Sequence, residues 1–216
     1  YQEGVKVIAI PKTMDNDVPG TDYCIGFSTC VTRTIELTNS LRTSAGSHER
    51  FLVIEVFGRY AGFTALLPTM AGAANRCVIP EHPFDMEQLC ELLSNDRREH
   101  PSNYSVVLIS EGATMTHHDE MLFEGEETDQ YGHKKLGGIG DWFADQVRRH
   151  TGRETLQQKL AYLMRSGSPD SLDRMVGRAW GTLAYDLLKN DRSGHMTALV
   201  DGQYRAVPLE VVRGGA

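Results

Sequence analysis

Residues 51–62 read FLVIEVFGRYAG, an apolar run that stops at a glycine and continues into small residues. The run Phe51–Phe57 predicts a buried strand, because apolar residues follow one another without interruption by turn formers. Tyr60–Ala71 is small and apolar and predicts a buried helix. A strand that leads directly into a helix is the repeating unit of α/β folds.

The same alternation of strand and helix patterns runs along the rest of the chain. Further strands are predicted over Val5–Ile10, Cys77–Ile79, Tyr104–Ile109, Leu160–Met164 and Met196–Val200. Helices are predicted from Ser28, from Asp85, over residues 141–150, and from Ser168 to Leu188 with Pro169 in the first turn. Residues 112–138 lack periodicity and predict a long loop or hairpin insert. The pattern is that of a doubly wound sheet, whose ligands bind beyond the carboxyl ends of the strands.

Composition limits the class of protein. The chain has 216 residues, of which 40% are hydrophobic and 24% charged, as in an ordinary globular chain. Its formal net charge is −7, whereas nucleic-acid and anionic-membrane binders are normally basic. We therefore expect neither a nucleic-acid nor a membrane partner, while a local cluster of Arg and Lys still allows an anionic small substrate.

The four cysteines show no metal-binding or disulfide-framework spacing. They predict reduced thiols in a cytoplasmic protein. The chain starts at Tyr1 rather than at Met and soon enters an apolar strand. We therefore expect that a segment precedes it.

The loop that follows the first strand carries the densest group of reactive residue types. Residues 11–17 read PKTMDND. Asp15 could take a proton from a substrate hydroxyl, Asp17 could hold Mg²⁺, and Lys12 could neutralise a phosphoryl group. A solvated turn is the equally weighted alternative, because Asn and Asp are common turn formers.

Other strand ends carry residues suited to anions and sugars. Gly58 allows a close backbone approach and Arg59 offers a bidentate fork for phosphate, although this motif taken alone favours a strand–helix turn with a surface arginine. Glu111 could accept hydrogen bonds from sugar hydroxyls. Arg50, before the second strand, and Tyr162 with Arg165 in YLMRSGS are further phosphate candidates, although each alone is more often structural. His117, His118 and Asp119 lack the spacing of a helical zinc site and are interpreted as solvated.

Taken in order, four segments resemble the 6-phosphofructokinase family, and most closely its pyrophosphate-dependent type. They are PKTMDNDVPGTDYCIGFSTC, GSHERFLVIEVFGRYAG, LISEG and RETLQQKLAYLMRSGSPDSLDR. The resemblance implies the family's α/β three-layer sandwich. It further implies the end of a large donor-binding domain at 1–26, a small fructose 6-phosphate-binding domain at 27–164, and a return to the large domain at 165–216. The family's donor-binding part would precede the chain.

The resemblance also implies roles for individual residues. Asp15 would be the general base for the 1-hydroxyl of fructose 6-phosphate, and Thr13 would contact substrate and the transferred phosphoryl group. Asp17 would lie near Mg²⁺ and Arg59 would stabilise the transferring group. The implied substrate-binding residues are Thr13, Asp15, Arg50, Phe57, Gly58, Arg59, Glu111, Tyr162 and Arg165.

Lys12 indicates the subtype, because ATP-dependent members commonly have Gly there and pyrophosphate-dependent members have Lys. Pyrophosphate has no adenosine to contribute binding energy, so a fixed cation must supply more of the stabilisation. The implied activity is phosphoryl transfer from pyrophosphate to fructose 6-phosphate. The implied assembly is a homo-oligomer, dimer or tetramer, in which Arg50 reaches a neighbouring site.

Three alternatives remain open at this stage. The donor could be ATP, the acceptor could be another sugar phosphate such as sedoheptulose 7-phosphate, or the chain could be a non-catalytic regulatory subunit. Leu156, where the family usually has a phosphate-binding Arg, and Phe57, in place of the usual Met, keep the non-catalytic alternative open. The altered phosphate pocket leaves room for another acceptor. Retention of Asp15, Asp17 and Arg59 together argues against a non-catalytic chain.

Overall fold

The computed structural model describes residues 3–116, 123–128, 134–136 and 138–214. The chain divides into two compact units. One comprises Tyr1–Cys30 with Gly167–Ala216, and the other comprises Val31–Ser166. We call them the split unit and the continuous unit.

The described residues contain these strands and helices. The strands are β1 (Ile8–Ala9), β2 (Lys12–Thr13), β3 (Ile25–Gly26), β4 (Phe51–Val56), β5 (Arg76–Val78), β6 (Ser105–Ser110), β7 (Phe123–Thr128), β8 (Lys134–Leu136), β9 (Thr155–Lys159), β10 (His195–Val200) and β11 (Gln203–Pro208). The helices are α1 (Phe27–Ser47), α2 (Phe63–Met70), α3 (Met86–Glu99), α4 (Ile139–Thr151) and α5 (Ser171–Lys189). Short 3₁₀ helices span Ala161–Arg165 and Leu209–Gly214.

The continuous unit is built around a parallel four-stranded sheet in the order β5-β6-β4-β9. All residues of β4 and β6 are buried, as expected for central strands covered on both faces. Helices α3 and α4 pack together against this sheet. Their buried side chains join those of the strands in one apolar core, which includes Phe51, Val53, Leu93, Val107, Ile109, Phe143 and Val147.

Local sequence explains where the helices of this unit begin and end. The side chain of Asp85 accepts a hydrogen bond from the backbone amide of Gln88 (2.8 Å) and caps α3, which confirms the predicted start of this helix at Asp85. Helix α4 ends at Gly152, whose φ of 64° lies in the left-handed region that glycine adopts without strain.

The split unit contains a three-stranded sheet in the order β1-β10-β11 and a separate pair of β2 with β3. Strand β1 is parallel to β10, which is antiparallel to β11. Helix α5 contacts β1, β3, β10 and β11. Tyr23, Val176 and the fully buried Trp180 form the centre of its apolar core.

The predicted α/β fold is confirmed, while several element assignments are wrong. Leu160–Met164 was expected as a strand, but β9 lies earlier, over polar residues, and Ala161–Arg165 is a 3₁₀ helix. The strand over Val5–Ile10 shortens to β1. Pro169 lies outside α5, because Asp170 is its N-cap. Strand β11 was not predicted.

The insert is a hairpin in part, since β7 and β8 pair antiparallel. The interpretation of His117, His118 and Asp119 falls outside the described residues.

Candidate active site

The turns that follow β4 and β6 are joined at the carboxyl edge of the parallel sheet. Val56 is in register with Ser110. The amide of Glu111 donates to the carbonyl of Val56 (3.0 Å), and the amide of Gly112 donates to the carbonyl of Gly58 (3.1 Å). The backbone therefore places Arg59 and Glu111 on adjacent turns, as the strand–helix pattern predicted.

Gly112 permits this close approach. A Cβ atom at position 112 would lie 2.0 Å from the carbonyl oxygen of Arg59, a distance that no real side chain could occupy. Gly58 has a φ of 137°, a conformation that side-chain-bearing residues rarely adopt. Sequence reasoning identified Gly58 but overlooked Gly112, although its position directly after a strand-ending carboxylate was an available signal.

Phe57, Tyr162 and Arg165 form an aromatic–cation cluster at the same edge. The centre of the Arg165 guanidinium lies 4.3 Å from the Tyr162 ring centroid and 5.4 Å from that of Phe57. The two rings meet edge to face, with centroids 6.1 Å apart. Three of the predicted phosphate or sugar contacts are thus neighbours in space.

An ion pair between a buried carboxylate and a partly exposed ammonium lies near this edge, and sequence reasoning missed it. Glu55 in β4 is 1% exposed, and its carboxylate lies 2.8 Å from the ammonium of Lys159 in β9. The other carboxylate oxygen accepts a hydrogen bond from the amide of Gly140 (2.9 Å) in the first turn of α4. The charged residue inside the apolar run FLVIEVF was the signal for this contact.

In the split unit, Thr13 orients Asp15. The Thr13 hydroxyl oxygen accepts a hydrogen bond from the Asp15 amide (3.1 Å), and the hydroxyl lies 3.5 Å from a carboxylate oxygen of Asp15. Asn16, with a φ of 57°, turns the chain, and its side-chain amide donates to the carbonyl of Asp22 (3.1 Å). Asp15 is half-buried, whereas Lys12 and Asp17 are exposed.

Asp173 supports this loop from the first turn of α5. Its carboxylate is 3% exposed and accepts hydrogen bonds from the amide of Gly26 (2.8 Å), the amide of Thr29 (3.0 Å), the Thr29 hydroxyl and the Tyr23 hydroxyl (2.6 Å). Gly26 is paired with Thr13 across β2 and β3. Burial and the neighbouring Asp173 carboxylate raise the pKa of Tyr23.

The predicted site residues thus fall into two groups. Lys12, Thr13, Asp15 and Asp17 lie in the split unit, and Phe57, Gly58, Arg59, Glu111, Tyr162 and Arg165 lie in the continuous unit. Arg50 stands apart from the second group, because it precedes β4 and so lies at the opposite, amino end of that strand. Leu156 pairs with Leu52 near the same end.

The donor atoms of the loop at residues 12–17 suit Mg²⁺. Asp17 is an exposed carboxylate two residues from Asp15, and both offer the hard oxygen ligands that Mg²⁺ prefers. Within the described ranges, no three His, Cys, Asp or Glu residues cluster as an all-protein metal cage. A site of one or two carboxylates completed by substrate phosphates is the common arrangement for Mg²⁺.

The described residues include all four cysteines and all the helices given above. Cys24, Cys30, Cys77 and Cys90 are free, as predicted. None of the described helices combines the length and apolar character needed to cross a bilayer.

The fold and these residue patterns together define a family. The family model for phosphofructokinase matches residues 1–188, and the chain belongs to this family. The match covers all of the continuous unit, the split unit up to residue 188, and every predicted site residue.

The curated relatives are named for two different phosphoryl donors, pyrophosphate and ATP. The chain is 39% identical over 206 residues to a pyrophosphate–fructose 6-phosphate 1-phosphotransferase of Streptomyces coelicolor, covering 95% of this chain and 59% of the relative. It is 35% identical over 211 residues to an ATP-dependent 6-phosphofructokinase of Corynebacterium efficiens, covering 98% of this chain and 60% of the relative. The chain therefore spans about three-fifths of the length of these relatives.

Solved structures show the same fold. A pyrophosphate-dependent phosphofructokinase from Marinobacter aquaeolei matches with a TM-score of 0.74 and 26% identity, covering 94% of this chain and 50% of that one. The phosphofructokinase of Saccharomyces cerevisiae matches with a TM-score of 0.81 at 22% identity, covering 97% of this chain and 26% of that one.

Proposed function

We propose that the protein transfers a phosphoryl group from pyrophosphate to the 1-hydroxyl of fructose 6-phosphate. The observation that carries this proposal is the Thr13–Asp15 pair, in which the Thr13 hydroxyl contacts the backbone amide and the half-buried carboxylate of Asp15, in the segment that also carries Lys12. A carboxylate held in this way is suited to accept a proton from a sugar alcohol. Membership in the phosphofructokinase family supports the same chemistry.

Positioning and charge stabilisation account for the rest of the reaction. In this proposal Asp15 removes the hydroxyl proton, while Lys12 and Arg59 stabilise negative charge on the donor and on the transferring group. Glu111 accepts hydrogen bonds from the sugar. Arg165 binds the 6-phosphate. Mg²⁺ held by Asp17 supplies further charge neutralisation when bound.

Domain roles and assembly are part of the proposal. Residues 27–164 bind the sugar phosphate, and the flanking segments 1–26 and 165–216 belong to the donor-binding domain. Arg50 lies at the amino end of β4, away from Arg59, and the family resemblance assigns it to the site of a neighbouring copy of the chain in a cytoplasmic homo-oligomer. The proposed partners of the protein are fructose 6-phosphate and the phosphoryl donor.

The base is tested with Asp15→Asn in the full-length protein. We expect kcat to fall about 10³-fold, within the usual range for removal of a general base, while the dissociation constant for fructose 6-phosphate changes little. Asp191→Asn is the control, since Asp191 pairs with Lys6 on the surface. A kcat for Asp15→Asn close to that of the control would contradict the proposed base.

The donor is tested separately, because relatives of both kinds match the chain. We expect turnover with pyrophosphate and little with ATP. Lys12→Gly should lower kcat/KM for pyrophosphate, because the fixed cation is lost. Strong turnover with ATP and none with pyrophosphate would reverse the assignment of the donor.

A non-catalytic, sugar-phosphate-binding subunit is the second candidate. Leu156 favours it, because the family usually has a phosphate-binding Arg at this position. An assay of the purified full-length protein alone separates the two candidates: turnover supports the enzyme. Tight binding of fructose 6-phosphate without turnover from either donor supports the subunit.

A further inference from the structure

Arg165 is held by aromatic rings rather than by a carboxylate. Its guanidinium lies within 6 Å of two ring centroids, which is the range of cation–π attraction. Within residues 3–116 and 138–214, no Asp or Glu forms an ion pair with it. The ring contacts orient the charge without neutralising it, so the guanidinium stays available to an anion.

The backbone around the rings is fixed to the sheet. The amide of Phe57 donates to the sulfur of the fully buried Met164 (3.4 Å). The amide of Leu160 donates to the carbonyl of Glu55 (3.0 Å), which ties the 3₁₀ helix to β4. The rings therefore start from a rigid base, whereas Arg165 alone would have several rotatable bonds to order on binding.

We propose that Phe57 and Tyr162 are positioning residues that hold the Arg165 guanidinium ready for the phosphomonoester of the acceptor, and that the ring of Tyr162, not its hydroxyl, performs this role. The inference deepens the proposed function and rests on it. It differs from a direct contact between the Tyr162 phenol and phosphate, which would make the hydroxyl essential. Pre-ordering of this kind raises affinity by reducing the entropy lost when the ligand binds.

The two aromatic residues act together. Their rings meet edge to face, the favourable geometry for aromatic pairs, so each limits the motion of the other. Tyr162 is 69% exposed, and its substitution leaves the apolar core untouched. This exposure makes Tyr162 the cleaner position for testing the proposal.

The test measures binding of fructose 6-phosphate, and of inorganic phosphate, to the full-length protein by calorimetry. We expect Tyr162→Leu to weaken both about fivefold, as for the loss of a cation–π contact of about 1 kcal/mol. Tyr162→Phe should keep affinity within about twofold of the parent. Tyr185→Leu is the matched control, because Tyr185 is an exposed tyrosine on α5.

A double-mutant cycle isolates the pair. Once Arg165 is replaced by Met, the further change Tyr162→Leu should have no added effect on phosphate binding. In steady-state assays the loss in Tyr162→Leu should fall on KM for the sugar phosphate rather than on kcat. Equal losses in Tyr162→Phe and Tyr162→Leu, or additive losses in the cycle, would overturn the proposal.

Failure of the proposed function gives a different result. Phosphate binding that depends on the Tyr162 ring, without turnover from any donor, would contradict the proposed kinase activity and support the positioning role of Phe57 and Tyr162. If turnover occurs and neither KM nor the affinity for fructose 6-phosphate depends on the Tyr162 ring, the positioning role is contradicted and the proposed kinase activity is supported. Absence of phosphate and sugar-phosphate binding in the parent protein would overturn both.

Discussion

The ammonium of Lys159 lies 2.8 Å from a carboxylate oxygen of Glu55, a side chain that is 1% exposed. The two residues are in register on neighbouring strands β4 and β9. Glu55 also accepts the amide of Gly140, so one carboxylate ties two strands to the first turn of α4. The turn that carries Arg59 and the 3₁₀ helix that carries Tyr162 follow these two strand ends along the chain.

Substitution of either Glu55 or Lys159 should lower the free energy of unfolding, and the loss should differ between the two residues. Lys159→Met leaves a buried carboxylate unpaired and should lower the free energy of unfolding by about 3–5 kcal/mol. Glu55→Gln should cost less, because the Lys159 side chain is 32% exposed and water can solvate its charge. Urea unfolding of the full-length protein measures both values. A larger loss in Glu55→Gln than in Lys159→Met would contradict this prediction.

The Asp173 carboxylate is predicted to stabilise the split unit through several donors at once. Asp173→Asn replaces one acceptor oxygen by a donor that faces other donors, and should cost about 2–4 kcal/mol of unfolding free energy. Tyr23→Phe removes one hydrogen bond only and should cost about 1 kcal/mol. Hydrogen exchange of the Gly26 amide provides the local readout: its protection should fall in Asp173→Asn and persist in Tyr23→Phe.

Two glycines are predicted to respond in opposite ways to alanine. Gly181 lies within α5, and a Cβ there meets open space. Gly181→Ala should therefore stabilise the protein by about 0.5–1 kcal/mol, through the higher helix propensity of alanine. Gly112→Ala should destabilise it strongly because of the Arg59 carbonyl. Thermal unfolding midpoints that move in the same direction for both variants would contradict the assignment.

Cys90 is predicted to make the free energy of unfolding decline as the pH rises above 9. Burial raises the pKa of its thiol from 9.0 to about 11. The unfolded chain loses this proton at lower pH than the folded one, so the contribution is complete below pH 9 and is lost as the pH rises towards 11. Cys90→Ala should therefore show a shallower decline in unfolding free energy over that interval.

The control for this pH series is Leu89→Ala. Leu89 is a buried neighbour in the same core without a titrating group. Its removal should lower the free energy of unfolding by a similar amount at every pH. A decline over pH 9–11 that is as steep in Cys90→Ala as in Leu89→Ala would show that Cys90 is not the titrating group.

The central strands could be predicted from sequence because their environment is uniform. Every residue of β4 and β6 is buried. Because both faces of these strands are covered, apolar residues are favoured at consecutive positions and produce an apolar run in the sequence. Strand β9 could not be predicted in this way. It lies at the sheet edge, its residues are all half-buried, and its pairing with β4 overrides the weak strand preference of TLQQK.

In the candidate site too, some residues could be predicted from the sequence and others depend on tertiary structure. The rule that ligands bind at carboxyl ends of parallel strands was sufficient to select Arg59 and Glu111, which the structure places on adjacent turns. The stacking of Arg165 on Phe57 and Tyr162 depends on a 3₁₀ helix that the periodicity did not reveal. The Glu55–Lys159 pair depends on strand order, which a linear pattern does not contain.

The contact between Gly112 and the Arg59 carbonyl constrains how this protein can be engineered. Any exchange of the segment after β6 for a segment from another protein brings a Cβ against that carbonyl unless glycine is retained at position 112. The two segments are therefore best grafted as one cassette, residues 57–62 together with 110–113. Libraries can then vary Glu111 within a backbone that keeps the hydrogen bond between the Gly112 amide and the Gly58 carbonyl.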